Sequence, residues 1–160
     1  MNLEAQAEYF VYLRRAGETH EVDGAFAVRT GAWSNTENGV VARGPVADVA
    51  ELAAWVADAP ASWLDLAGAN HEALVAAGAR PENDGREMRA RIGDLRLAPP
   101  DGVVVATADV GEWFDFASAH EWFGEPGERI AFERLYRELV GERFRLTVAR
   151  IDDDIVGFAS

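Results

Sequence analysis

Two short stretches of the chain hold the residue types best suited to bind something. The first, HEWFGEPGE at 120–128, sets Trp122 and Phe123 beside glycines and a proline. Aromatic rings exposed on such a loop make a pocket wall for a ligand, whereas turned inward they cap a core between two helices. The second, AWSNTENG at 32–39, offers Trp33 as a stacking surface and Asn35 and Asn38 as amide hydrogen-bonding groups. Its plainer reading is a turn supported by Asn-Gly, with Trp33 packed back on a sheet.

Other chemistries are excluded by what the chain lacks. It contains no cysteine, so there is no disulfide, thiolate nucleophile or zinc-thiolate site. All 15 basic residues are arginine, which removes Schiff-base and P-loop lysines. His20, His71 and His120 lie about fifty residues apart, without metal-ligand spacing, and no metal site is expected. Asp152, Asp153 and Asp154 are adjacent, so on a tight turn they point apart and form a turn instead of a cation site. No dinucleotide, P-loop, nucleophile-elbow or H-E-x-x-H motif occurs.

The net charge of −13 opposes nucleic acid and anionic membrane surfaces as partners, and suits a small neutral or cationic ligand. With 49% hydrophobic residues in 160, there is material for a packed core. The acidic start MNLEAQAEYF is unlike a signal peptide, and no apolar run reaches membrane-spanning length. The cytoplasm is the simplest compartment for such a chain.

Periodicity then supplies the elements that would position these residues. A helix is expected over 4–16, an acidic loop after it, and strands over 24–31 and 38–44. A helix over 45–59 has Pro45 in its first turn, followed by strand 62–67, helix 70–78 and strand 86–92. LAPPDG at 97–102 reads as a linker. Beyond it come a buried strand at 103–109, a helix at 110–122 and a second helix at 129–140. Strands at 144–150 and 155–159, joined by the aspartate turn, form the last hairpin. The order aromatic helix, glycine, strand, turn, strand thus occurs twice, once from Glu8 and once from Ile130.

The second copy carries a family resemblance. RLTVARIDDDIVGFAS resembles the hairpin phrase A-R-x-D-D/G-x-x-V-G-x-A-S of GNAT-superfamily N-acetyltransferases, and the element order from Val103 resembles the start of that fold. Residues 60–92 resemble the region before the catalytic lobe in a two-lobed subgroup. The resemblance implies an α/β fold, a GNAT-like mixed sheet flanked by helices. It divides into a degenerate amino-terminal lobe over 1–96, the linker 97–102, and the first half of a catalytic lobe over 103–160.

It also implies an activity: acetyl transfer from acetyl-CoA to the amine of a small molecule or peptide. By that resemblance Trp113, Trp122, Phe123 and Glu125 shape the acceptor site, and Glu121 and Glu125 attract the amine unless they are merely solvated loop carboxylates. His120 is the candidate general base, or else a histidine half-buried beside Trp113 and Phe116. The family's CoA-binding loop, R/Q-x-x-G-x-G/A, is absent. Its counterpart in the first copy, VVARGPVADVAEL, has Pro45 without an N–H and Asp48 in the first turn, both unfavourable to phosphate. No cofactor is expected on this stretch alone. The missing part is expected beyond Ser160, and an open strand edge there invites pairing with a second copy. The alternative is a non-catalytic module, binding a small molecule or a protein, whose two α–β–β units share one sheet.

Overall fold

The structure, a computed structural model, describes residues 3–80, 98–123, 126–141 and 144–160. The strand expected at 86–92 lies outside the described residues, as does Glu125. The chain divides into two compact units, residues 1–88 and 89–160. Both are mixed α/β, and the described strands form two separate sheets, not one shared sheet.

In the first unit the order is α1 (Leu3–Leu13), β1 (Glu18–Val22), β2 (Ala25–Arg29), β3 (Gly39–Ala42), α2 (Val49–Val56), β4 (Ser62–Asp65) and α3 (His71–Ala76). The sheet order is β1-β2-β3-β4, antiparallel except for the parallel β3–β4 pair. A parallel pair needs a crossover, and α2 supplies it. Alternation along the strands sends Ala27 and Val40 toward Leu52 and Val56 of α2, with Trp55 and Trp63 packed beside them. On the other face α1 buries Ala7, Phe10 and Leu13. Gly39 makes that approach possible: a Cβ there would lie 2.6 Å from the Phe10 ring and 2.6 Å from the Ser62 carbonyl. Covered on both faces, β3 is buried at every position.

Two local expectations are corrected here. Residues 18–22 are a strand, not an acidic loop. Their charges are tolerated because β1 is an edge among the described strands, with Glu18, Thr19 and Glu21 exposed. Pro45 lies outside α2, which begins at Val49. Asp48 is the N-cap, its carboxylate accepting from Glu51 N at 2.9 Å.

The second unit runs β5 (Val104–Thr107), α4 (Val110–Ala119), α5 (Pro126–Leu139), β6 (Thr147–Ile151) and β7 (Asp154–Ala159). Its sheet is antiparallel, in the order β5-β6-β7. Helix α5 begins at Pro126, three residues early, because proline suits a first turn whose N–H groups lack helical partners. β5 is not buried: Val104 is 62% and Val105 54% exposed. An apolar run marks a strand but does not say what covers it, and β5 is an edge among the described strands. The core lies between helices and sheet, where Trp113, Phe114, Ala117, Leu135, Tyr136, Leu139, Leu146 and Val148 are buried.

Candidate functional site

The densest group of site-type residues is at the end of α4, against β7. Asp109 caps the helix start, accepting from Glu112 N at 2.9 Å. The end is a Schellman closure: Glu121 N bonds Ser118 O at 3.1 Å and Trp122 N bonds Ala117 O at 3.0 Å. Such closures favour glycine at the left-handed position, yet Glu121 occupies it at φ 56°. The closure turns the chain sharply, so His120 and Trp122 emerge on either side of a strained residue.

His120 is exposed. Its ring lies 4.0 Å from that of Phe116, and Nδ1 is 2.9 Å from the Phe116 carbonyl. A carbonyl only accepts, so Nδ1 is the donor in this bond, and Nε2 is the ring nitrogen left outside it. Trp122, 66% exposed, meets the Phe158 ring edge-on at 5.0 Å, and Phe158 lies 5.6 Å from Phe116. One aromatic surface therefore runs from His120 through Phe116 and Phe158 to Trp122. It can stack against an apolar or aromatic ligand while Nε2 accepts a proton.

The other sequence candidates in this unit lie deeper. Trp113 is buried, donates its indole N–H to the Ala159 carbonyl at 3.1 Å, and touches Phe158 at 5.0 Å. It backs the aromatic surface and ties α4 to β7. Phe123 stacks on Phe114 at 5.3 Å and 6°, joining the core contacts. Phe158 is the member that sequence reasoning missed. The apolar alternation of the last strand, which pairs it with buried Val148, is the signal that could have found it.

Charge around this surface is organised by arginines. Arg150 pairs with Glu112 and donates to the Asp153 carbonyl at 2.9 Å. Arg129 pairs with Asp115 at 2.6 Å and Glu133 at 3.6 Å. The hydrogen bond to Asp115, then the nearby negative charges, raises the Arg129 guanidinium above its ordinary value.

In the first unit the sequence-nominated loop divides. Trp33 is 62% exposed, not packed back on the sheet, and Asn35 is half-buried. Asn38 is fully buried. Its Oδ1 accepts from Thr30 N at 2.8 Å, and its Nδ2 donates to the Ala32, Ser34 and Pro60 carbonyls at 2.6, 2.7 and 3.4 Å. That amide holds the loop together and has no donor or acceptor left for a ligand.

The β3–α2 loop is closed in a similar way. Asn70, buried before α3, accepts from Val46 N at 2.8 Å and donates to the Gly44 carbonyl at 2.9 Å. Asp65 in turn accepts from Asn70 N at 2.7 Å and Nδ2 at 3.0 Å. The N–H that an anion would need is therefore occupied.

His20 stacks on Trp55 at 5.6 Å and bonds Glu51 at 2.9 Å. Among the described residues no group of His, Asp and Glu could hold a metal ion, and no helix is long and apolar enough to cross a membrane. No protein-family model matches the chain, and neither does any curated protein or solved structure.

Proposed function

We propose that residues 103–160 form the first half of the catalytic lobe of an acetyl-CoA-dependent N-acetyltransferase, with residues 1–96 as its degenerate amino-terminal lobe. The observation that carries this reading is the path of the second unit. A strand, two helices and a hairpin follow one another in the element order of the resemblance, and they build one antiparallel sheet, β5-β6-β7. The surface from His120 to Trp122 supports an acceptor role for the end of α4. In that reaction an unprotonated amine attacks the thioester carbonyl, a C–N bond forms, the C–S bond breaks, and the CoA thiolate leaves. His120 Nε2 is the group available to take the amine proton.

The oxyanion and the CoA pyrophosphate would need donors that the β3–α2 loop does not offer. The β3–α2 loop presents Pro45, an occupied Val46 N–H and the Asp48 carboxylate. Residues 1–160 alone are accordingly expected to be inactive. The same closed loop favours a second reading, a non-catalytic module that binds a small molecule or a partner protein and never binds CoA.

The test is titration of acetyl-CoA into the intact gene product, with thiol release followed in the presence of amines. The transferase reading expects binding and amine-dependent thiol release from the intact product, and neither from residues 1–160 alone. His120→Gln should lower that rate about a hundredfold. An intact product that does not bind acetyl-CoA overturns the transferase reading and leaves the binding module.

A further inference from the structure

Trp122 is held firmly in place and yet is not buried. In a Schellman closure the residue after the left-handed position commonly packs on the helix's own last turns. Trp122 occupies that place, its N–H bonded to the Ala117 carbonyl at 3.0 Å, but its ring meets β7 and the residue stays 66% exposed. The turn that delivers it carries Glu121 at φ 56°, a conformation that glycine adopts without strain. Core packing does not account for a strained turn that sets an indole in solvent.

The ring is nevertheless fixed. It meets Phe158 at 5.0 Å with the two planes 81° apart. Phe158 is itself flanked by Trp113 at 5.0 Å and 82° and by Phe116 at 5.6 Å and 70°. Trp113 in turn is buried and tied by its indole N–H to the Ala159 carbonyl at 3.1 Å. Perpendicular rings meet edge against face, so Phe158 covers at most one face of the Trp122 indole. The 66% exposure leaves the rest of that indole open to solvent. An open indole beside the half-buried rings of Phe116 and Phe158 is a stacking platform whose ordering is complete before a ligand arrives.

Charge decides which aromatic ligand suits it. Arg150 and Arg129 are held by carboxylates of α4, those of Glu112 and Asp115. The closure itself adds Glu121, exposed in sequence between His120 and Trp122, and the chain as a whole carries −13. Such a field favours a cation and repels a carboxylate or phosphate, and an indole face attracts a cation by its quadrupole.

We propose that the end of α4 binds an arylalkylammonium ion, its ring stacked on the open face of Trp122 and its charge matched to the acidic surface. As a statement about the acceptor amine this rests on the transferase reading; as a binding site it stands without it.

The probe is 2-phenylethylammonium chloride, titrated into the 160-residue protein while the indole N–H resonances are followed by NMR. Trp122→Leu and Trp33→Leu identify two of those resonances by deleting them. Trp33, 62% exposed in the first unit, is the control for nonspecific stacking. The proposal expects a saturating shift at Trp122 and none at Trp33. The saturated analogue 2-cyclohexylethylammonium, which has no π-face, should bind at least about threefold more weakly. The anion 3-phenylpropionate should bind at least about fivefold more weakly. Trp122→Leu, read on the backbone amides of Phe116 and Phe158, should weaken binding of the probe by at least about threefold. Because Trp122 is exposed, that variant is expected to fold. Equal shifts at Trp33 and Trp122, equal affinity for the saturated or anionic analogue, or unchanged affinity in the variant overturns the proposal.

The site and the transferase reading fail separately. Binding at Trp122 by a gene product that does not bind acetyl-CoA keeps the site and removes the transferase. Thiol release by the intact product from amines that leave the Trp122 resonance unmoved keeps the transferase and overturns the site.

Discussion

The segment α1–β1–β2 and the segment α5–β6–β7 have one construction and opposite fates. Each is a helix, a glycine within a few residues of its end, and two antiparallel strands joined by a two-residue turn. In the first unit the second strand of the pair gains β3 as its other neighbour and packs α2 on one face. β2 is accordingly buried at its three central positions. In the second unit the equivalent strand is β7, whose one strand partner among the described residues is β6, and Asp154, Val156 and Ala159 are exposed. The motif fixes the pairing, while burial comes from what is laid beside it. The turns differ too: Gly24 takes positive φ in the first, whereas Asp152 and Asp153, at 49° and 72°, both do so in the second.

This contrast can be broken or sharpened by substitution, each effect read as a change in denaturant midpoint and converted with the transition slope. The largest change should come from Phe10→Ala, which removes the ring lying on Gly39 and should destabilise the first unit by about 3–5 kcal/mol. Asn38→Ala should follow at about 2–3 kcal/mol, since it leaves the Thr30 N–H and the loop carbonyls unpaired in a buried site. If Asn38→Ala were neutral, the loop would not depend on that amide and the comparison of the two hairpins would lose its anchor.

Smaller effects of opposite sign are expected in the second unit. Glu121→Gly should stabilise it by about 1 kcal/mol by relieving the left-handed residue, while the surface formed by His120 and Trp122 becomes less fixed. Asp153→Gly should gain less, about 0.5 kcal/mol, because aspartate tolerates positive φ better than glutamate. Equal gains at both positions would mean that the strain at Glu121 is no greater than in an ordinary turn.

Much of the architecture was legible because strong local signals agreed with it. The helical spacing of Phe132, Leu135, Tyr136 and Leu139 and the hairpin around the aspartates survive with shifts of a few residues at their ends. β1 was obscured by its charges, since an edge strand need not look apolar. The Asp23-Gly24 pair between Val22 and Ala25 was the available clue. The exposure of β5 was not legible, because a run of valines reports strand propensity and says nothing about neighbours.

Within the loops that the sequence flagged, the tasks of individual residues were less legible. Asn38 holds its loop and Trp113 its core, as hydrogen bonds across six and forty-six residues of chain decide. Phe158 drew no notice, for a ring becomes conspicuous only when other rings gather round it.

The amide that gathers the β2–β3 loop also sits in front of a glycine, and Asn-Gly is the sequence most prone to spontaneous deamidation in flexible chains. Here the reaction is held back by geometry. The Asn38 side chain is committed to four backbone partners, and Gly39 is fixed in a central strand with no room to bend toward it. Ageing at this position is therefore expected to proceed only through states in which the loop has opened, at a rate set by how often it opens. Each event would be irreversible in effect. It would put a second carboxylate beside Glu37, where Ala32 and Ser34 now offer carbonyls to an amide. The molecule would then keep, as a slow mass gain at a single residue, a record of how often its first unit has loosened.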